Sequence, residues 1–263
     1  MIRKCVFCLL LCVLSAGALC ASIIETSSFA ALKEHADHDT LILIDIDDTI
    51  LHTKQAFGSD AWFYNKLKEL SSTRAYKEAI GVALPLWHKA QEVTGVSLVE
   101  ENTPSVIAAL QDRQYKVMCL TTRGKVIMDA TLRQLASLGI DMKRAAPFKG
   151  HFPITVSSEY GYWNQGVLFT GGGDKGKTLM SLLEKMAFRP KKILFINDKA
   201  THLRDVEKDV EPAGMSFTGL RYNRSDKKKE IREDVAKVQE EYFNKILSDE
   251  DALAIIEARR LKA

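Results

Sequence analysis

The chain has 263 residues, of which 46% are hydrophobic and 27% are charged, and its formal net charge is +3. This length and balance are those of a globular protein with one large or two small domains and a sizeable core. A net charge so close to zero gives no reason to expect a nucleic acid as partner.

The amino terminus has the pattern of a secretory signal peptide. Arg3 and Lys4 precede an apolar run from Cys5 to Leu14, and small residues follow that run. The run is shorter than the roughly 20 apolar residues that a membrane-spanning helix needs. We therefore predict that residues 1–21 are removed and that the mature protein is exported, to the periplasm or outside the cell, with no stable membrane span.

Four of the five cysteines lie in this leader, so the mature chain keeps Cys119 alone. Cys119 stands inside an apolar run. We expect it to be an inert core residue, and we expect no intramolecular disulfide.

The stretch LILIDIDDT, from Leu41 to Thr49, predicts a strand that ends in acid. Its four apolar residues are typical of a strand buried on both faces of a parallel sheet. Asp45, Asp47 and Asp48 follow at the end of that strand, where carboxylates need a positive partner. A hard cation, a phosphate-bearing substrate or both would supply one, whereas a solvated acidic turn is the alternative for this short pattern alone.

An EF-hand loop is a further alternative for these carboxylates. Its spacing requires Gly at the sixth position and Glu at the twelfth, where this chain has Ile50 and Ala56. The sequence therefore excludes an EF-hand here.

Residues 54–113 predict a helical insertion after the acidic strand end. Trp62, Phe63 and Leu67 recur at helical spacing, Pro85 predicts a break, and Thr103 followed by Pro104 predicts the start of another helix. About sixty residues thus separate this strand from the next one in the chain.

The second half of the chain alternates strands and helices, as expected for a doubly wound parallel sheet. The predicted strands are Tyr115–Leu120, Gly166–Thr170, Lys192–Ile196 and Met215–Leu220. The stretch from Met142 to Gln165 is interpreted as an irregular insertion, and residues 223–263 as a charged, solvated helical tail.

Ligands of such sheets bind at the carboxyl ends of the strands, so the polar residues there are candidates for a site. These residues are Asp45, Asp47, Thr121, Thr122 and Asp198.

The glycine-rich stretch from Gly171 to Thr178, GGGDKGKT, supports a different prediction. It fits the P-loop pattern of nucleotide-hydrolysing enzymes and lies between a predicted strand and a predicted helix. The nucleotide-binding fold would then begin after about 170 residues of other structure, and the DIDDT stretch would have no explanation. A P-loop NTPase is therefore kept as the alternative.

Taken together, four motifs resemble the haloacid dehalogenase (HAD) superfamily. They are DIDDT at 45–49, CLTTR with Thr121, GDKG with Lys175 and FINDK with Asp198. The resemblance covers the chain from about Leu41 to Leu220 and, with the exported leader, looks like a secreted bacterial phosphatase branch. It implies a Rossmann-like α/β core with a helical cap.

The resemblance implies a role for each motif residue. Asp45 would be the nucleophile that forms an aspartyl-phosphate, and Asp47 the general acid and base. Thr121, Thr122 and Lys175 would hold the phosphoryl oxygens. Mg²⁺ would be bound by a set of three residues: Asp45, the backbone carbonyl of Asp47, and Asp198.

Motif four departs from the family pattern in ways that leave its second acidic position open. Asn197 stands where many relatives have an acid or Gly, and His202 and Asp205 are both candidates to complete the motif. Lys177 lies close enough in sequence to compete with Lys175.

The sequence thus predicts an exported, Mg²⁺-dependent phosphatase acting on a small phosphomonoester. The core would comprise residues 22–53 and 114–222, the cap residues 54–113 and the tail residues 223–263. The P-loop NTPase and a degenerate HAD-like binding protein remain the alternatives.

Overall fold

The computed structural model describes residues 22–156, 159–227, 231–243 and 247–262. The predicted signal peptide, residues 1–21, lies outside the described residues.

The described strands fall into a large sheet and a small hairpin. The strands are β1 (Ile23–Thr26), β2 (Thr40–Ile44), β3 (Leu51–Thr53), β4 (Val96–Leu98), β5 (Lys116–Thr121), β6 (His151–Val156), β7 (Glu159–Asn164), β8 (Val167–Phe169), β9 (Lys192–Asn197) and β10 (Ser216–Tyr222). The large sheet has the order β1-β10-β9-β2-β5-β8-β7-β6, and β3 pairs with β4.

The described α-helices connect these strands and form the carboxyl-terminal segment. They are α1 (Leu32–His35), α2 (Asp60–Ser71), α3 (Tyr76–Val93), α4 (Thr103–Asp112), α5 (Met128–Ser137), α6 (Lys175–Lys185), α7 (Ala200–Val210), α8 (Glu233–Glu241) and α9 (Asp249–Arg260). Within the described ranges, no helix combines the length and the apolar character needed to cross a bilayer.

The predicted α/β class with a doubly wound parallel sheet is confirmed. The six strands from β1 to β8 in the sheet order all pair in parallel. β2 lies at the centre, with Ile44 paired to Cys119 of β5 on one side and to Ile196 of β9 on the other.

Both faces of the sheet are covered, which explains the unbroken apolar run of β2. Ile42 and Ile44 pack in one core cluster with residues of α4 and α5, including Leu110 and Leu135. Leu41 and Leu43 face the opposite cluster, which contains residues of α6 and α7. Successive residues of a strand point to opposite faces, so each face needs its own apolar residues.

The insertion after β2 contains more than helices. A short antiparallel hairpin, β3 with β4, joins helices α2 and α3 to the core. The predicted break at Pro85 is wrong, because α3 continues through it. Pro85 has no N–H group to donate to the carbonyl of Gly81, one turn earlier in α3. Both residues are exposed, so water can hydrogen-bond to that carbonyl instead.

The interpretation of Met142–Gln165 as irregular is also wrong for most of its length. β6 and β7 pair antiparallel, and β7 pairs antiparallel with β8, so this segment extends the sheet at one edge. Pro153 lies in β6, at the outer end of the strand order, a position that tolerates a missing N–H group.

The expectation of a solvated tail is wrong. Val235 and Val238 of α8 are buried with Phe57 and Trp62 of the insertion in a third apolar cluster. The Phe57 N–H donates to the Gln239 side chain at 2.9 Å. The carboxyl-terminal helices therefore pack against the insertion, while the proposed domain boundaries themselves stay a prediction.

Candidate active site and metal centre

Three neighbouring strands bring the predicted site residues to one end of the sheet. Asp45 follows β2, Thr121 ends β5 and Asp198 follows β9, and these strands are adjacent in the sheet. The Asp45 N–H donates to the carbonyl of Ile196 at 3.1 Å, which continues the ladder past the end of β2. Parallel packing alone therefore places these side chains at a common rim.

Lys175 reaches Asp45 from the first residue of α6. Its Nζ lies 2.7 Å from Asp45 Oδ1, and the side chains are 1% and 7% exposed. Burial lowers the pKa of Lys175 more strongly than Asp45 raises it, so its pKa lies below the usual range. The pair places a candidate nucleophile, Asp45, beside a buried lysine.

Gly176 explains how Lys175 can be so deeply buried. A Cβ atom at this position would collide with the backbone carbonyl of Asp205 in α7. Glycine lets α6 and α7 approach closely, which sets the first turn of α6 against the sheet.

The glycine loop does not form a phosphate cradle. The N–H groups of Gly171 and Gly172 donate to the carbonyls of Arg123 and Thr122, at 3.1 and 2.8 Å. The Asp174 side chain caps α6 by accepting from the Lys177 N–H at 3.1 Å. Lys177 itself is exposed. A P-loop needs these N–H groups and this lysine directed at a nucleotide, so the geometry argues against the NTPase.

Asp47 is held by a residue to which sequence reasoning assigned no role, Arg123. The Arg123 Nε and a terminal nitrogen donate to the two carboxylate oxygens of Asp47, at 2.9 and 2.8 Å. Burial opposes ionisation of Asp47, but Arg123, with help from Lys199 and Lys175, outweighs it, so the pKa of Asp47 lies below its ordinary value.

Arg123 is fixed in turn by α5 and by the insertion. It donates to Thr131 at 3.1 Å and to Gln134 at 2.7 Å, both in α5. It also donates to Gln91 of α3 at 3.3 Å and lies 5.5 Å from the centre of the Trp87 ring. The acidic loop and the helical insertion are therefore connected through one buried guanidinium group.

A second acidic group lies beside the first. Asp48, Asp60 and Asp198 each offer a carboxylate oxygen, and these atoms lie within 4.8 Å of one another. Asp48 and Asp198 belong to the sheet rim, whereas Asp60 is in the first turn of α2. Oxygen ligands at such spacing suit a hard divalent cation.

The surroundings of Asp198 suit a metal ligand better than a side chain that only makes hydrogen bonds. It is 7% exposed, and within the described part of the chain its Oδ1 has no hydrogen-bond partner. Burial, and then the charge of Asp45, raise the pKa of Asp198 to about 7. A buried carboxylate in this condition is costly unless a cation or a proton compensates it.

Two hydrogen bonds hold the loop that carries Asp48. Thr49 Oγ1 accepts a hydrogen bond from the Asp198 N–H at 3.1 Å, and the Asp48 carbonyl accepts one from Ser225 Oγ at 2.6 Å. Asp48 itself has φ = 55°, the left-handed region that Asp tolerates better than most residues.

Neither residue that the sequence offered to complete motif four belongs to this acidic group. His202 Nδ1 lies 3.5 Å from the Asn197 side chain, and burial together with Lys175 and Lys199 lowers the pKa of His202 to about 3. Asp205 pairs with Lys208 at 3.3 Å, where α6 meets α7. The third carboxylate of this acidic group comes instead from Asp60 of the insertion.

A cavity of about 850 Å³ opens beside these carboxylates. Asp47, Asp48 and Asp60 line one part of it. The β3–β4 hairpin, the linker to α2 and the carboxyl-terminal segment form its walls, with the basic residues Lys54, Arg224, Lys227 and Arg232. The cavity has room for a small organic molecule.

The sequence matches the model of a known protein family over most of its length. A family model described as "Protein of unknown function (DUF2608)" matches residues 25–253. The chain belongs to the DUF2608 family.

This DUF2608 chain also resembles a curated protein and two solved structures. A Chlamydia pneumoniae protein named "Putative outer membrane protein" is 27% identical over 217 residues, which is 82% of this chain and 81% of that protein. A HAD-superfamily hydrolase of Geobacter sulfurreducens is 16% identical, with a TM-score of 0.41, over 71% of this chain and 97% of the other. A class C acid phosphatase of Bacillus anthracis is 15% identical, with a TM-score of 0.36, over 87% and 82%.

Two residues of the DUF2608 site were missed by sequence reasoning. Arg123 stands two positions after Thr121, at the end of a strand, where polar residues were already candidates. Asp60 follows Ser59, which caps α2, so its place at a helix start was readable, but its partners in the folded chain were not.

Proposed function

We propose that this DUF2608 protein is a Mg²⁺-dependent phosphatase that hydrolyses a small phosphomonoester through an aspartyl-phosphate on Asp45. The observation that carries this proposal is the buried pair of Asp45 and Lys175, 2.7 Å apart, at the rim of a parallel sheet. A carboxylate can attack phosphorus only where the charge on the phosphoryl group is neutralised, and Lys175 is positioned for that.

The reaction has two steps. Asp45 attacks phosphorus, forming an oxygen–phosphorus bond as the bond to the alcohol oxygen breaks, and this oxygen takes a proton from solvent in the adjoining cavity. Water then hydrolyses the aspartyl-phosphate, which frees Asp45 and releases inorganic phosphate. Thr121, Thr122 and Lys175 hold the phosphoryl oxygens. Arg123 keeps Asp47 ionised, which suits Asp47 to the second step, where it takes a proton from the attacking water.

Mg²⁺ fits the residues present, because Asp198 has a buried oxygen with no partner among the described residues. Asp45, the Asp47 carbonyl and Asp198 would hold the ion. When bound, it would offset the charges of these carboxylates and of the phosphoryl group.

The cavity supports a small anionic substrate. Its acidic part adjoins the proposed site, and the basic residues on its walls supply positive charge. Such a pocket suits a phosphate ester of modest size.

Export to the periplasm or outside the cell is part of the same proposal. Residues 1–21 have the signal-peptide pattern, and the similar Chlamydia pneumoniae protein carries an outer-membrane name.

Hydrolysis of a chromogenic phosphate ester tests the proposal on residues 22–263. We expect turnover with added Mg²⁺, reduction to background in Asp45→Asn, and retention of most activity in Lys177→Ala, whose side chain is exposed. Nucleotide hydrolysis that survives Asp45→Asn and is lost in Lys177→Ala would instead establish the NTPase. No turnover of any phosphate ester by folded, Mg²⁺-loaded protein would contradict the proposal and favour a binding role.

A further inference from the structure

Asp60 places a carboxylate of the helical insertion inside the acidic group of the core. Its oxygen lies within 4.8 Å of those of Asp48 and Asp198, although Asp60 belongs to α2 and the other two to the loops after β2 and β9. Ser59 caps α2 by accepting a hydrogen bond from the Trp62 N–H at 3.1 Å, so the first turn that carries Asp60 is fixed.

Two lysines near this acidic group already have carboxylate partners. Lys199 pairs with Asp60 at 3.0 Å and also lies 5.0 Å from the centre of the Tyr64 ring. Lys175, the other, is buried and is paired with Asp45. Asp198 contributes a buried oxygen without a hydrogen-bond partner, which is a second and independent sign that a cation belongs there.

We propose that Asp60 is a ligand of the divalent cation, directly or through a coordinated water, and that the ion fastens the insertion to the core. The ion then has ligands on both sides of the boundary and adds to the contacts that hold the insertion against the core. This inference rests on the proposed function only in assuming that the same ion serves both roles.

The alternative is that Asp60 serves only as the ion-pair partner of Lys199, and titration with Mg²⁺ and with Mn²⁺ separates the two roles. We expect Asp60→Asn to weaken binding of either ion by at least about tenfold, the scale seen when the surroundings of a metal are altered. Lys199→Gln breaks the same ion pair but keeps the carboxylate, so it should bind each ion at least as tightly as the unaltered protein.

Glu78→Gln is the matched control. Glu78 is exposed and is also the acidic residue in the first turn of an insertion helix, so the change removes an equivalent charge from α3. Its ion affinity should equal that of the unaltered protein. Equal affinity of Asp60→Asn and Glu78→Gln, or weakened binding in Lys199→Gln, would overturn the proposal.

Hydrogen exchange provides a readout that does not depend on activity. Mg²⁺ should slow exchange in residues 60–71 of α2 as well as at the rim around Asp48, and Asp60→Asn should lose the protection of α2 alone. Protection confined to the rim in the unaltered protein would contradict the proposal. Absent phosphatase activity with intact metal-dependent protection of α2 would contradict the proposed function and leave the role of Asp60 standing.

Discussion

At the scale of the residue, Arg123 decides the state of the acidic loop. Its side chain is fully buried, and it makes two hydrogen bonds to Asp47 while Thr131 and Gln134 occupy another of its nitrogens. Removing one partner of a buried ion pair leaves the other charge uncompensated, which costs more than the pair gains.

We expect Arg123→Met to lower the free energy of unfolding by about 3 kcal/mol, since Asp47 and Gln134 then lose their partner. Adding Asp47→Asn to that variant should cost little more, because the unpaired charge is removed. Urea unfolding measures both effects. The control is Arg133→Met, an exposed arginine that also contacts Gln91. If Arg133→Met lowered the free energy of unfolding as much as Arg123→Met does, Arg123 would have no special role.

Asp198 predicts a pH dependence of stability in metal-free protein. Burial, with Asp45, raises its folded-state pKa from 3.8 to about 7, so between these values the folded chain holds a proton that the unfolded chain has released. The contribution of Asp198 to stability should therefore fall as the pH rises from about 4 to about 7, by up to about 1.4 kcal/mol per pH unit, and then level off. His202 contributes in the opposite direction, because its pKa is lowered from 6.5 to about 3 in the folded protein, so its contribution rises with pH up to about 6.5.

Denaturant unfolding at a series of pH values measures this slope. Asp198→Asn should remove the Asp198 contribution, so that stability rises more steeply with pH between about 4 and about 7 than in the unaltered protein. Excess Mg²⁺ should have the same effect on the unaltered protein by stabilising the ionised carboxylate. An Asp198→Asn protein with the same slope as the unaltered one would assign the dependence to other groups.

At the scale of the element, the carboxyl-terminal helix α8 holds the insertion in place. Val235 and Val238 pack with Phe57 and Trp62, and Gln239 accepts from the Phe57 N–H. Asp249, which begins α9, accepts from the Ala56 N–H at 3.1 Å. The linker between β3 and α2 therefore donates hydrogen bonds to both carboxyl-terminal helices, α8 and α9.

Val238→Asp should therefore destabilise the protein by about 3 kcal/mol, because an unpaired carboxylate would enter an apolar cluster. Lys237→Asp is the control: the neighbouring position on α8 is exposed, so its effect should stay within about 1 kcal/mol. Thermal unfolding compares the two. Equal stabilities would mean that α8 does not support the fold.

How much of the structure the sequence could predict depends on how far apart in the chain the interacting residues lie. The strands β2, β5 and β9 are apolar on both faces and end in polar residues, so their burial and their common rim could be read directly. The hairpin β3–β4 has only three residues in each strand, which is too few for an alternating apolar and polar pattern to be recognised. The apolar side of α8 was visible, but its partner Phe57 lies 182 positions from Gln239.

At the scale of the whole molecule, the site lies where three parts of the chain meet. The α/β core supplies Asp45, Lys175 and Asp198, the insertion supplies Asp60, and the carboxyl-terminal segment contacts the acidic loop through Ser225. A cavity bounded by all three adjoins the rim. In the proposed function, the core performs the chemistry and the other two parts select the substrate.

Trapping of the covalent intermediate tests this account most directly. Protein supplied with Mg²⁺ and a labelled phosphate ester, and then quenched in acid, should carry the label on the peptide that contains Asp45, and hydroxylamine should release it. Asp45→Asn should carry no label, and Asp47→Asn should accumulate more, because the base for the second step is missing. Label on any other peptide, or ester hydrolysis that proceeds without label on Asp45, would contradict the account.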